Sequence, residues 1–174
     1  PITKYGAVTS PNYLASVAGL EVLQKGGNAV DAAIAVASTM NVVYPQMTTL
    51  GGDNFWLIYN AKTKEVKALN ASGRAGELAT IDFYKKKGYD KIPSRGYLAA
   101  NTVPGTVSGW DAAHKYARAN MSNAGLPWKD LFDSAILYSQ KGFPVTASLA
   151  RWEEINVDPK DSEFRNLQRF SGFK

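Results

Sequence analysis

An α+β fold is predicted by three features of the sequence: two helical patterns joined at Gly26-Gly27, one apolar run with an alternating partner between residues 55 and 69, and further helical patterns after Thr106. The first helix opens at Ser10-Pro11, read as N-cap and first helical residue. Ala15, Ala18, Gly19, Val22 and Leu23 then recur at helical spacing. It stops at Gly26-Gly27, where a residue without Cβ takes φ > 0. Asn28 with Asp31 three positions on restarts the chain as a second helix, with a side-chain cap and a carboxylate at the positive end of the dipole. From Ala29 to Val43 that helix is small or apolar on nearly every side, so it is expected to be buried.

Tyr44-Pro45 ends the second helix, and Gln46 to Asn54 form a loop containing Gly51-Gly52-Asp53-Asn54. Phe55 to Tyr59 reads as a buried strand, Asn60 to Lys64 has turn composition, and Glu65 to Leu69 alternates, which together predict a β-hairpin. Asn70 to Gly76 follow as a loop and Ile81 to Lys87 as a short helix. Thr102-Val103-Pro104-Gly105-Thr106 is a turn entering a helix from Val107 to about Ala119. Pro127 starts one more helix, through Leu131, Ala135, Ile136 and Tyr138 to Gly142. In the last 24 residues, Arg151 to Lys174, 10 are charged, against 20% for the chain; with Trp152, Phe164 and Phe170 among them they read as a surface-packed segment continuing into further protein.

Composition narrows the chemistry. The 174 residues suit one domain or part of a larger one, and no internal boundary or repeat interrupts them. Net charge is +5, but apart from Lys85-Lys86-Lys87 the basic residues are scattered, which argues against nucleic-acid binding. The longest weakly polar run, Ala32 to Val43, is too short for a bilayer, so a soluble chain is expected, either cytoplasmic or exported with its leader already removed. With no Cys and one His, His114, the sequence offers no cysteine nucleophile, no multi-His metal site and no cofactor motif. His114 sits in an ordinary amphipathic stretch and is read as a helix surface or packing residue. Pro1 as a catalytic amine has no supporting pattern.

Two loops remain as candidates. Gly51-Gly52 precedes a strand and lacks the Lys-Ser/Thr of a phosphate loop, so its glycines are read first as permitting a close backbone crossing, with φ > 0 expected at Gly51, and second as lining a pocket. Ser72-Gly73-Arg74 places a hydroxyl and a guanidinium directly after a strand, where Arg can grip a carboxylate with paired hydrogen bonds, although on the residues alone an ordinary surface Arg is the plainer account.

The order of segments carries more than any single residue. Gly26-Gly27-Asn28-Ala29-Val30-Asp31-Ala32-Ala33, Pro45-Gln46 to Leu50-Gly51-Gly52, Phe55 to Tyr59, Pro104-Gly105-Thr106-Val107-Ser108-Gly109, Leu126-Pro127-Trp128 and Gly142-Phe143-Pro144-Val145 together resemble the N-terminal part of a γ-glutamyltranspeptidase, from about Gly6 to Ala150. The resemblance implies a four-layer αββα sandwich of the N-terminal-nucleophile hydrolase type. Such a protein is made as a precursor that cleaves itself, and the nucleophilic Thr begins a separate small subunit. Residues 1–174 would then be the N-terminal part of the large subunit. Its implied partners are that small subunit and a small γ-glutamyl or other acyl-amide substrate, with room for a higher oligomer and with no catalytic residue, metal or cofactor in this chain. The implied activity is γ-glutamyl transfer or hydrolysis on compounds such as glutathione; a cephalosporin or glutaryl-type acylase of the same fold, or a non-catalytic homologue, are the alternatives.

Two departures stand out within the resemblance. The family's carboxylate-binding Arg falls on Ser72, with Arg74 two residues later, a Ser-Gly-Arg form similar to the cephalosporin acylase branch; Ser72 and Arg74 are therefore the implied substrate-binding residues. Where four glycines are common, this chain has Gly51-Gly52-Asp53-Asn54, implying a narrower or more polar pocket.

Overall fold

The computed structural model describes residues 6–94 and 96–156; Pro1 and the stretch 157–174, and with it most of the charge-rich C-terminal segment, lie outside them. The elements are α1 (Tyr13–Gln24), α2 (Ala29–Val43), β1 (Asn54–Asn60), β2 (Glu65–Ala71), α3 (Ile81–Lys86), α4 (Thr106–Asn120), a 3-10 helix (Trp128–Phe132), α5 (Asp133–Lys141) and α6 (Ala147–Asn156).

α1 begins later than Ser10-Pro11 suggests. Asn12 is the cap, its Oδ1 accepting the Leu14 N–H at 2.9 Å, while its Nδ2 donates to the Val43 carbonyl at 3.2 Å. One side chain thus starts α1 and ties it to the end of α2, a choice made by a partner 31 residues away. Gly26, at φ +91°, turns the chain between the two helices. α2 begins and ends where the sequence places it, with a complete capping box in which Asn28 and Asp31 satisfy each other's backbone N–H groups.

The core joins Val22 of α1 to Val30, Ile34 and Ala35 of α2, to Trp110, Ala113 and Ala117 of α4, and to Leu131. β1 and β2 form an antiparallel pair in the register Trp56↔Leu69 and Ile58↔Lys67. Trp56, Ile58 and Leu69 lie against this core. The opposite face does not: Leu57 is 81% exposed and Phe55 70%, with Tyr59 and Val66 also open. The expectation of a strand buried on both faces is thus corrected among the described residues. A continuous apolar run reads the same whether its second face is covered by its own chain or left open.

The helix expected from Pro127 to Gly142 is two pieces. Trp128 stacks near His114 and Phe132, at ring-centroid distances of 5.5 and 4.9 Å, and Leu131 is buried. The tighter 3-10 turn, opened by the Asp130 N–H on the Pro127 carbonyl at 3.0 Å, sends these side chains into the core before α5 starts at Asp133. α6 was not anticipated.

Candidate functional site

Three segments far apart in sequence cross at the open end of the hairpin. The Gly52 carbonyl accepts the N–H groups of both Gly105 and Thr106 at 3.0 Å, so the loop before β1 is stitched to the start of α4. Asn54 doubles this link: its Nδ2 donates to the Thr106 carbonyl at 2.6 Å, and its Oδ1 accepts from Trp56 Nε1 at 2.6 Å. The loop after β2 joins the same crossing, because the Val103 N–H donates to the Arg74 carbonyl at 2.8 Å and Ala75 pairs with Thr102.

These crossings leave no space for side chains at three glycines: Gly109, against Asn54 and Ala71, and two that face backbone carbonyls. A Cβ on Gly73 would fall on the Val103 carbonyl, and one on Gly105 on the Ala71 carbonyl. The expectation for Gly51 is corrected here: neither Gly51 nor Gly52 has positive φ, and a Cβ on Gly51 would meet nothing closer than Thr49 Oγ1 at 3.7 Å. The crossing anticipated at the diglycine exists as the Gly52 carbonyl's bonds to Gly105 and Thr106, but the glycines short of room face other segments: Gly105 faces Ala71 and Gly73 faces Val103. Gly105→Ala is therefore expected to destabilise the complete protein by about 2 kcal/mol, as an overpacked site does, and Gly51→Ala by less than about 0.5 kcal/mol. Denaturant midpoints of the two variants check this, and equal losses would refute the assignment.

Above the crossing lies a groove of about 470 Å³, lined by Leu69 to Arg74 at the end of β2, by Val103 to Gly105, and by Ser108, Gly109 and Ala112 of α4. Ser72 and Arg74 thus share one concave surface, and both are exposed. The Ser72 N–H is held by Asn70 Oδ1 at 2.9 Å, a turn in which Asn bonds two residues onward, and the Gly73 N–H by Asp53 Oδ1 at 2.8 Å. Ser108 Oγ donates to the Gly105 carbonyl at 2.8 Å. The groove therefore offers a hydroxyl, a guanidinium and an apolar floor, a set able to orient a small polar acyl group but without a side chain placed as nucleophile and base.

His114 is not part of it. The imidazole is buried beside Asp31, with Nε2 3.1 Å from the Leu126 carbonyl and 3.6 Å from Asp31 Oδ1, so it packs rather than reacts. Asp31 is fully buried, and its Oδ2 accepts the N–H groups of Asn28 at 3.0 Å and of Leu126 at 2.8 Å. The sequence singled out Ser72 and Arg74, took Asp53 only as a side chain that makes the pocket narrower or more polar, and assigned no role to Asn70 or Ser108. Asn two residues before Ser72 is a legible turn signal; Asp53 has none, because its partner is 20 residues away.

The family model described as Gamma-glutamyltranspeptidase matches residues 15–168. The Glutathione hydrolase-like YwrD proenzyme of Bacillus subtilis (strain 168) is 49% identical over 87% of this chain and 27% of its own length. The Oxamate amidohydrolase proenzyme of Klebsiella pneumoniae subsp. pneumoniae is 42% identical over 93% and 31%. Among solved structures, the cephalosporin acylase from Bacillus halodurans superposes with a TM-score of 0.71 at 35% identity, covering 87% of this chain and 28% of that one. The chain belongs to the γ-glutamyltranspeptidase family, the family its order of motifs resembles. It spans roughly a third or less of the length of these relatives.

Proposed function

We propose that residues 1–174 form the N-terminal part of the large subunit of a γ-glutamyl acyltransferase or hydrolase acting on glutathione and related amides. They contain no internal boundary and contribute to donor binding rather than to bond breaking. The carrying observation is the groove at the three-segment crossing, which presents Ser72 and Arg74 together. In this reading the nucleophile is the amino-terminal Thr of a small subunit cut from the same precursor. Its hydroxyl attacks the donor carbonyl and passes its proton to the Thr α-amine. The tetrahedral intermediate collapses to an acyl ester as the leaving amine takes that proton, and water or an acceptor amine then releases the acyl group. The open Phe55, Leu57 and Tyr59 face is where a second sheet would complete an αββα sandwich, since an apolar sheet face of that size needs a covering layer. The proenzyme names of the relatives agree with a precursor.

A second reading has its own support. The guanidinium sits at residue 74, not at residue 72, and two relatives are named for oxamate and cephalosporin rather than for glutathione. An acylase of the same fold would use this groove for a glutaryl or other acyl group. Mass spectrometry of the complete protein and rates on γ-glutamyl- and glutaryl-p-nitroanilide separate the readings. The first expects a cleaved precursor with a Thr-terminated small subunit and faster γ-glutamyl turnover; faster glutaryl turnover supports the second. An uncleaved chain inactive on both overturns the enzyme assignment in favour of a non-catalytic homologue.

A further inference from the structure

The Ser72-Gly73-Arg74 turn has a mechanical problem that the rest of the site does not share. Its middle residue must be glycine, because Val103 passes where a Cβ would stand, and glycine is also the residue with the widest choice of backbone conformations. Left alone, that freedom would let Ser72 and Arg74 point in many directions. Fixing a residue's backbone takes about 1–2 kcal/mol, which a few hydrogen bonds must supply. Four are present among the described residues: the Ser72 N–H on Asn70 Oδ1, the Arg74 carbonyl on the Val103 N–H, and, at Gly73 itself, a long bond from Ser72 Oγ to its carbonyl at 3.5 Å and the N–H on Asp53 Oδ1 at 2.8 Å. The first is local and the second holds the far side of the turn. Of the two at Gly73, the Asp53 bond is the short one and the one that reaches outside the turn, spanning 20 residues from the loop before β1 to the loop after β2.

We propose that Asp53 is a positioning residue of donor recognition: by holding the Gly73 N–H it fixes the directions in which Ser72 and Arg74 present their polar groups to the groove. The proposal rests on the reading of the groove as the acyl-donor site. A carboxylate suits the task, since an ionised acceptor makes the stronger bond to a backbone N–H, and an arginine fork depends on direction as much as on charge. Asp53 itself touches no substrate in this account. Its effect falls on donor binding and leaves the later chemical steps alone.

The complete protein tests this with Asp53→Ala and Asp53→Asn, using γ-glutamyl- and glutaryl-p-nitroanilide as donors. Asp53→Ala is expected to raise the KM of the working donor about fivefold to tenfold with kcat within about twofold, the loss of one exposed charged hydrogen bond. Asp53→Asn keeps an acceptor oxygen and should restore KM to within about twofold to threefold of wild type. Amide hydrogen exchange across residues 71–76 should quicken in Asp53→Ala and not in Asp53→Asn, a readout that needs no donor. An unchanged KM in Asp53→Ala overturns the proposal, as does an equal fall in kcat that Asn fails to rescue, or unaltered exchange. Wild-type protein that turns over neither donor removes the functional reading and the donor role with it, and exchange then decides whether the clamp exists.

Discussion

Asp31→Ala is expected to destabilise the complete protein by about 2–5 kcal/mol, because it strands two backbone N–H groups that the buried carboxylate holds. The carboxylate is fully buried, its Oδ2 hydrogen-bonding two backbone groups while its Oδ1 has no hydrogen-bond partner among the described residues. Its Oδ2 accepts the Asn28 N–H, closing the capping box of α2, and the Leu126 N–H, pinning the segment that leads into the 3-10 helix; its Oδ1 faces His114 Nε2 at 3.6 Å. Alanine strands two backbone donors away from water, each costing about 1–3 kcal/mol, and leaves the imidazole with the Leu126 carbonyl alone. Asp31→Asn, which keeps one acceptor oxygen, should fall between. Asp111→Ala is the control, because Asp111 pairs with Lys115 four residues on at an exposed site, where such a pair contributes only about 0.3–0.5 kcal/mol. Denaturant midpoints of the three variants decide it: an Asp31→Ala loss no larger than that of Asp111→Ala would show that the Asn28, Asp31 and Leu126 cluster is not what holds α2 to the segment after α4.

What the sequence made legible follows the range of the interactions involved. α2 was readable at both ends because its signals are local: Asn28 and Asp31 cap each other, and Tyr44-Pro45 stops the helix. The hairpin was readable because apolar and alternating runs flank a polar turn. The start of α1 was not, since Asn12 competes with Ser10 for the cap and wins through the Val43 carbonyl at the far end of the next helix. The 3-10 piece before α5 was likewise hidden, being set by where Trp128 and Leu131 must reach. At the groove, Ser72 and Arg74 stood out by residue type and by resemblance. The steric glycine requirement fell at other contacts near the groove, Gly73 against Val103 and Gly105 against Ala71, because sequence does not say which backbone segments pass without room for a Cβ. Asp53 and His114 complete the pattern: each is defined by what it touches across the fold, one at the groove and one in the core.

Arg74→Ala is expected to raise the KM for a carboxylate-bearing donor by tenfold to a hundredfold in the complete protein. Arg74 lines the same groove as Ser72, and its exposed side chain makes no ion pair among the described residues, so its guanidinium is available to a ligand anion. Losing a charged hydrogen-bond partner costs about 1.5–3 kcal/mol, which sets that range. The competing arrangement is that guanidinium recognition of a γ-glutamyl α-carboxylate needs residue 72. Ser72→Arg should then improve both the γ-glutamyl and the glutaryl anilide, since the glutaryl group carries a carboxylate at the same chain position and lacks only the α-ammonium. The pair of variants on the pair of donors separates these cases. A KM rise in Arg74→Ala on both donors places the guanidinium on the carboxylate that they share. A rise on the γ-glutamyl donor alone is not explained by the shared carboxylate and takes carboxylate binding away from Arg74. Strong γ-glutamyl turnover by the wild type that neither substitution alters would take carboxylate recognition away from this loop, and with it the role assigned to Ser72 and Arg74.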